Sequence, residues 1–290
     1  MPIYGFSVAC ARLIFALALA LLLCACATTP GPQSGLPAPS PAMGLQAHLD
    51  RVEAALAKTA GSERTLVFVG AALHSQSTAF QSDVLALQKR LLGFGMPLQS
   101  LIVSNPPADL PARFPMATQQ NLSEVFSHVG AWSDKYPLTV VVLISSHGHV
   151  DQLAIEIAGR AYPPIRSSVL HAWLRRINPA TPTAVLLSAC HSGSFVPALE
   201  DGSRVLLTAS AADRSSFGCS PKSTNTWFIE SLLEHGLLAE LSWSEAFKRT
   251  AKRVEAKERE LKFVPSMPQA SIPAAWAETP LGDWLRGPKP

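Results

Sequence analysis

Residues 138–194 read LTVVVLISSHGHVDQLAIEIAGRAYPPIRSSVLHAWLRRINPATPTAVLLSACHSGS. Two apolar runs in this stretch each stop at a reactive residue. Thr139-Val140-Val141-Val142-Leu143-Ile144 runs into Ser145-Ser146-His147-Gly148, and Thr183-Ala184-Val185-Leu186-Leu187 runs into Ser188-Ala189-Cys190-His191-Ser192-Gly193. Short β-branched runs without polar alternation are the pattern of strands buried on both faces, and about 12 residues of amphipathic helix between them predict a parallel α/β sheet. Ligands in such sheets bind at the carboxyl ends of the strands. An imidazole and a thiol each just past a buried strand are therefore expected at the edge where chemistry is done.

Working toward the amino terminus, the α/β alternation continues. Leu45, Leu49, Val52 and Leu56 keep helical spacing, and Leu66-Val67-Phe68-Val69 predicts a strand ending at Gly70. Phe80, Val84, Leu87 and Leu91 predict a helix stopping at Gly93, and Leu98 to Val103 a second strand closed by Asn105-Pro106-Pro107. Asn121 stands three residues before Glu124, as an N-cap would, ahead of the stripe Leu122, Val125, Phe126, Val129 and Trp132. Toward the carboxyl terminus, Leu153 to Ile157 alternates with Gly159 as a hairpin turn, and Pro163-Pro164 is expected to precede a helix carrying Val169, Leu170, Leu174 and Ile177. Val205 to Thr208 predicts another strand and Trp227 to Leu238 a helix. Ser242 with Glu245 has capping-box spacing for a helix to about Leu261, whose mixed charges read as a solvated face. The proline-rich tail is expected to lie over the surface.

The 290 residues, 48% hydrophobic and 16% charged, suffice for one full core. A formal charge of +3 with scattered lysines and arginines gives no footprint for nucleic acid. Leu13 to Leu23 is too short an apolar run to span a bilayer comfortably, and has the length of a signal h-region. It ends in Leu23-Cys24-Ala25-Cys26, which resembles a bacterial lipobox and implies cleavage before Cys26 with lipid on that residue. Ala27 after the acceptor fits delivery to an outer membrane. Prolines 30, 32, 37, 39 and 41 make the following residues an extended tether. The expected organisation is a signal peptide over 1–25, a lipidated tether over 26–44, a folded domain over 45–268 and a tail over 269–290, on the cell envelope facing the periplasm.

The segments Ser145-Ser146-His147-Gly148, Ser188-Ala189-Cys190-His191-Ser192-Gly193-Ser194-Phe195 and Thr208 to Cys219 resemble the bacterial branch of the legumain-like cysteine peptidases. The resemblance implies the three-layer caspase-haemoglobinase fold: a mostly parallel sheet of order 2-1-3-4-5, with helices on both faces and the histidine strand beside the cysteine strand. It implies an endopeptidase acting on polypeptides without a cofactor, in which Cys190 is the nucleophile and His147 its base, the backbone amides of Gly148 and Cys190 forming the oxyanion hole.

The residue types suit that chemistry on their own terms. A thiol attacks as thiolate, and a neighbouring imidazole that takes its proton stabilises the pair. His147 and Cys190 are 43 residues apart, against about 50 in caspases. The positions that set legumain's preference for asparagine fall on Ala79, Ser188 and Glu230, only the last of matching charge type, so a relaxed or different P1 preference is expected. The family's orienting asparagine falls near Ser77.

Two alternatives stand beside this reading. His147-Gly-His149-Val-Asp151 has the H-x-H-x-D spacing of a zinc hydrolase, although Gln152 departs from that motif and the surrounding α/β pattern does not suit it. A non-catalytic, lipid-anchored binding protein on the same fold is the other. Of five cysteines, signal cleavage and lipidation leave Cys190 and Cys219. We expect Cys219 to be a small buried apolar residue with Phe217-Gly218 packed on the sheet; were the two thiols instead joined, the protein would be redox-gated.

Overall fold

The computed structural model describes residues 44–59 and 64–287. The expected signal peptide, Cys26 and the tether apart from Gly44 lie outside the described residues. In chain order the first elements are α1 (Leu45–Thr59), β1 (Thr65–Ala72), α2 (Ala79–Leu92), β2 (Leu98–Ser104), α3 (Gln119–Lys135) and β3 (Leu138–Ser145). Three short strands follow, β4 (Gly148–His149), β5 (Gln152–Ile157) and β6 (Arg160–Ile165), then α4 (Ser167–Leu174) and β7 (Thr183–Ser188). The chain continues through α5 (Val196–Leu199), β8 (Val205–Thr208), α6 (Trp227–Ser231), α7 (Trp243–Glu260), β9 (Gln269–Ser271), α8 (Ala274–Ala277) and α9 (Leu281–Arg286).

The main sheet has the order β2-β1-β3-β7-β8-β9. Its first five strands are parallel and β9 is antiparallel to β8. The five parallel strands thus have the expected 2-1-3-4-5 order. Alternate residues of each strand feed two cores. Val67 and Val69 of β1, Val140, Val142 and Ile144 of β3, and Val185 and Leu187 of β7 meet α1, α3 and α4 on one face. Leu66 and Phe68, Val141 and Leu143, and Ala184 and Leu186 meet α2, α6, α7 and α9 on the other. Each such valine, leucine, isoleucine or phenylalanine side chain, fully removed from water, contributes roughly 1.5–3 kcal/mol. Burial on both faces is why these strands read as continuous apolar runs.

Several local expectations are corrected. The N-cap of α3 is Thr118, whose Oγ1 accepts the Asn121 N–H at 3.1 Å, while the Asn121 side chain donates to the Met116 carbonyl. Both residues are good cap formers, and the one in extended backbone geometry takes the role. Pro163-Pro164 do precede α4 as expected, but they lie within β6, where a proline is tolerated because that strand pairs on one side only, with β5. The helix opened by α6 passes into a π-helical turn over Leu232–Gly236. Within α7 the charged face has one exception: Glu258 is buried, and its two carboxylate oxygens accept the Ser266 N–H at 3.1 Å.

The carboxyl-terminal segment is part of the domain, contrary to its reading as a surface tail beyond residue 268. β9 closes the sheet edge, and Leu281, Trp284 and Leu285 are buried in the second core. The Thr139 hydroxyl of β3 donates to the Leu285 carbonyl at 2.8 Å. Apolar residues at 281, 284 and 285 have helical spacing, but a six-residue helix is too short for periodicity to stand out against flanking prolines.

Candidate active site

The register of the sheet brings the two loaded strand ends together. Ser145 of β3 pairs with Ser188 of β7, and the Ser146 N–H donates to the Ser188 carbonyl at 3.1 Å. His147 and Cys190 each lie two residues beyond that pair, at the carboxyl edge of the sheet. Both are partly accessible. Gly148 lies directly against the turn at Cys190: an added Cβ would overlap the Cys190 carbonyl oxygen and sit 3.1 Å from the Ala189 Cβ. Only glycine permits this approach. Gly193 has a similar constraint, since a Cβ there would come within 2.7 Å of the Ser210 carbonyl oxygen.

The thiol of Cys190 is held by the loop after β8. The Ser216 N–H donates to Sγ at 3.3 Å, and Sγ reaches the Ser216 carbonyl at 3.4 Å and the Ser216 hydroxyl at 3.8 Å. The His191 N–H donates to the Arg214 carbonyl at 2.8 Å, fixing the same loop against the turn. Cys190 and Cys219 are both free thiols. Cys219 is half-buried against the second core, and burial, followed by the neighbouring Cys190, pushes its thiol up. Phe217 packs away from the sheet, on Trp227 at 5.3 Å and Phe263 at 4.6 Å, instead of lying against it as expected.

His147 packs against two rings. His74, just after β1, meets it edge to face with centroids 4.5 Å apart, and Phe80 of α2 does so at 5.0 Å. Burial holds the His147 imidazole below its ordinary range and His149 adds to that, while Glu156 pulls the other way. Glu156, buried on β5, lies 3.6 Å from His74 Nε2 and accepts hydrogen bonds from Ser75 Oγ at 2.9 Å and Gln76 Nε2 at 3.2 Å.

Ser77, the position expected to orient the imidazole, does something else. Its hydroxyl donates to the Ser220 carbonyl at 2.9 Å and accepts the Ala79 N–H at 3.1 Å, capping α2 where Thr78 makes no side-chain cap. Ser188 is buried with its hydroxyl 2.8 Å from Thr226 Oγ1. Glu230 lies elsewhere: Lys257 grips both its oxygens at 2.7 and 2.9 Å, on the wall of a groove of about 400 Å³ that Trp227 and Glu234 also line. The residue that meets Ser188 is thus Thr226 and not Glu230.

Beneath the strand ends is a residue the sequence did not single out. Asp83 of α2 is fully buried and accepts from Ser145 Oγ at 2.7 Å, Thr226 Oγ1 at 2.8 Å, and both Asn225 Nδ2 and the Thr226 N–H at 3.0 Å. Desolvation pushes its carboxyl up to about 7 against the pull of those four donors. A polar residue at 83, on the same helix face as Phe80, Val84 and Leu87, was the available signal.

The zinc-ligand alternative does not assemble. Asp151 turns toward α4, where Oδ1 accepts the Ser167 N–H at 2.9 Å, and the exposed His149 stacks on His191 at 6.5 Å. Among the described residues no group of three or more histidine, cysteine, aspartate or glutamate side chains is arranged to hold a metal ion.

Comparison with known proteins agrees with this architecture. The fold is similar to that of caspase-1 from Spodoptera frugiperda, with a TM-score of 0.51 at 12% identity, covering 74% of this chain and 88% of that one. No curated protein matches the sequence. The profile of the Peptidase C13 family matches residues 133–278, a span holding β3, β7, both of their reactive ends and β9. The chain therefore belongs to the Peptidase C13 family and is a cysteine-type peptidase acting on polypeptides.

Proposed function

We propose that the protein is an endopeptidase whose reactive pair is Cys190 and His147. In the first step the thiol proton passes to His147, and the sulfur attacks the scissile carbonyl carbon. The carbonyl π electrons move onto oxygen, where the backbone N–H groups of Gly148 and Cys190 donate to the oxyanion. His147 then returns its proton to the leaving amine as the C–N bond breaks. Water hydrolyses the resulting thioester and restores the free thiol. The observation that carries this reading is the close approach of Gly148 to the Cys190 turn at the paired strand ends. The test is a panel of fluorogenic peptides together with an acyloxymethyl ketone probe. Turnover and probe adduct should both require Cys190 and disappear in Cys190→Ala; a folded wild type showing neither favours a binding protein on the same fold.

The preference at P1 follows from the same neighbourhood. Of the positions that the resemblance assigns to P1 recognition, Ala79 and Ser188 are uncharged and buried, and Glu230 is paired with Lys257. We expect cleavage after small or uncharged residues without selectivity for asparagine. Strict asparaginyl cleavage in a peptide library would refute this. The amino-terminal motif supports lipid attachment at Cys26 and residence on a bacterial envelope membrane. Metabolic labelling with a fatty acid should be lost in Cys26→Ala.

A further inference from the structure

The imidazole of a cysteine–histidine pair must be held at one angle, and it must bear a positive charge while the sulfur is a thiolate. In this chain neither task falls to Ser77. Two residues distant in sequence meet at His147 instead. The His74 ring stands perpendicular to it at 4.5 Å, and Phe80 meets it at 5.0 Å and His74 at 6.1 Å, so the three rings pack as one cluster. His74 is itself fixed. Its Nδ1 accepts the Gln76 N–H at 3.4 Å, which leaves the hydrogen on Nε2, and Nε2 faces Glu156 Oε2 at 3.6 Å. Glu156 is only 8% exposed, and its backbone N–H donates to the Leu73 carbonyl at 2.9 Å, joining β5 to the chain just after β1. Burying a carboxylate among hydrogen-bond donors costs free energy unless a nearby positive charge offsets it.

We infer that Glu156 and His74 form a positioning pair for His147, the His74 ring fixing the angle of the imidazole and the Glu156 carboxylate supplying its counter-charge when Cys190 gives up its proton. This inference rests on the reading of Cys190 and His147 as the reactive pair. The titratable groups around His147 are His74 just after β1, Glu156 from β5 and His149 from β4, with Cys190 beyond β7 as the partner in the proposed reaction. Burial, followed by the proximity of His147, depresses His74 to about 4, so His74 is neutral near pH 7 and does not cancel the charge of Glu156. Glu156 is then the acidic member of that set, opposed by His149.

The test measures the imidazole directly. In a Cys190→Ala background, the His147 ring signal, assigned by its absence in His147→Gln, is titrated by NMR with and without Glu156→Gln. Its pKa should fall by about half a unit or more, the equivalent of about threefold in the protonation constant. Glu156→Asp, which keeps the charge, should restore most of the shift. With Cys190 present, iodoacetamide alkylation of the Cys190 peptide near neutral pH should slow by about threefold in Glu156→Gln, as less thiolate–imidazolium pair remains. If Glu156→Gln does not fold, Glu156→Met, which requires no hydrogen-bond partner, is read in its place. A His147 titration that superimposes on the parent in either folded variant overturns the inference. Failure of the underlying reading looks different: wild-type Cys190 would then be alkylated no faster than Cys219, whatever stands at 156.

Discussion

Asp83 and Glu156 are both acidic side chains taken out of water beside the strand ends, and they meet opposite company. Asp83, under the sheet edge, is surrounded by neutral donors: two hydroxyls, an amide and a backbone N–H. Among the described residues no cation offsets its burial, and its carboxyl rises to about 7. Glu156, at the flank, shares its site with His74 and lies within electrostatic reach of His147. The same functional group thus serves two physical ends. Beneath the sheet it is a geometric clamp joining α2, the end of β3 and the loop before α6; beside His147 it is a source of charge. Hydrogen bonds from neutral donors fix the position of Asp83 and only partly oppose the effect of burial on its protonation, whereas an imidazole neighbour couples position to charge.

The comparison has meaning only if the strand ends carry chemistry, and that is where the largest effect is expected. Cys190→Ala should lower peptidase activity by more than about 10⁴-fold, measured on the best peptide of a fluorogenic panel; residual turnover near wild type would dissolve the distinction between clamp and charge source.

Next in size is the pH dependence of stability arising from the clamp. The Asp83 carboxyl rises from an ordinary 3.8 to about 7 when buried, so between those values the native state holds a proton that the unfolded chain has released. Stability from this group is therefore greatest near and below pH 4 and is lost as pH rises toward 7, by at most roughly 4 kcal/mol. Urea unfolding from pH 4 to 8 should show this slope, and Asp83→Asn should flatten it. A slope that survives in Asp83→Asn would mean that another group sets it.

Asp83→Ala, at fixed pH, leaves four donors, three of them buried, without this acceptor and should cost about 3 kcal/mol of unfolding free energy. Unlike Glu156→Gln, it should leave the His147 titration in place if the folded structure persists. Gly148→Ala, which forces a Cβ into the Cys190 carbonyl, should cost about 1–3 kcal/mol and reduce peptidase activity out of proportion to its loss of stability. The smallest effect belongs to the outer groove: Lys257→Met breaks the partly exposed pair with Glu230 and should change stability by less than about 1 kcal/mol, with alkylation of Cys190 unaltered.

The strands, the α/β alternation and the two reactive ends were legible because each is written locally. A run such as Val140 to Ile144 declares burial on both faces by composition alone, and the five-strand parallel order follows from the family resemblance that His147 and Cys190 carry with their flanking residues. The cap of α3 and the packing of residues 269–286 were less legible. Competing cap formers stand three residues apart at Thr118 and Asn121, and the last helix is too short to show a period. The positions inferred to line the site by resemblance fared unevenly. Ser188 is at the strand end, but Ser77 caps a helix and Glu230 is held by Lys257.

By itself the sequence determined which residues end buried strands, and hence that an imidazole and a thiol come to one edge of one sheet. Only the tertiary structure decided what stands around them. Asp83 meets Thr226 across 143 residues and Ser145 across 62, and Glu156 meets Ser75 across 81. Periodicity records how a segment faces the core, because burial of a face is a property of neighbouring residues along the chain. Which polar group answers another over such separations depends on how whole elements pack, and a single buried aspartate or glutamate leaves no periodic trace of its partner.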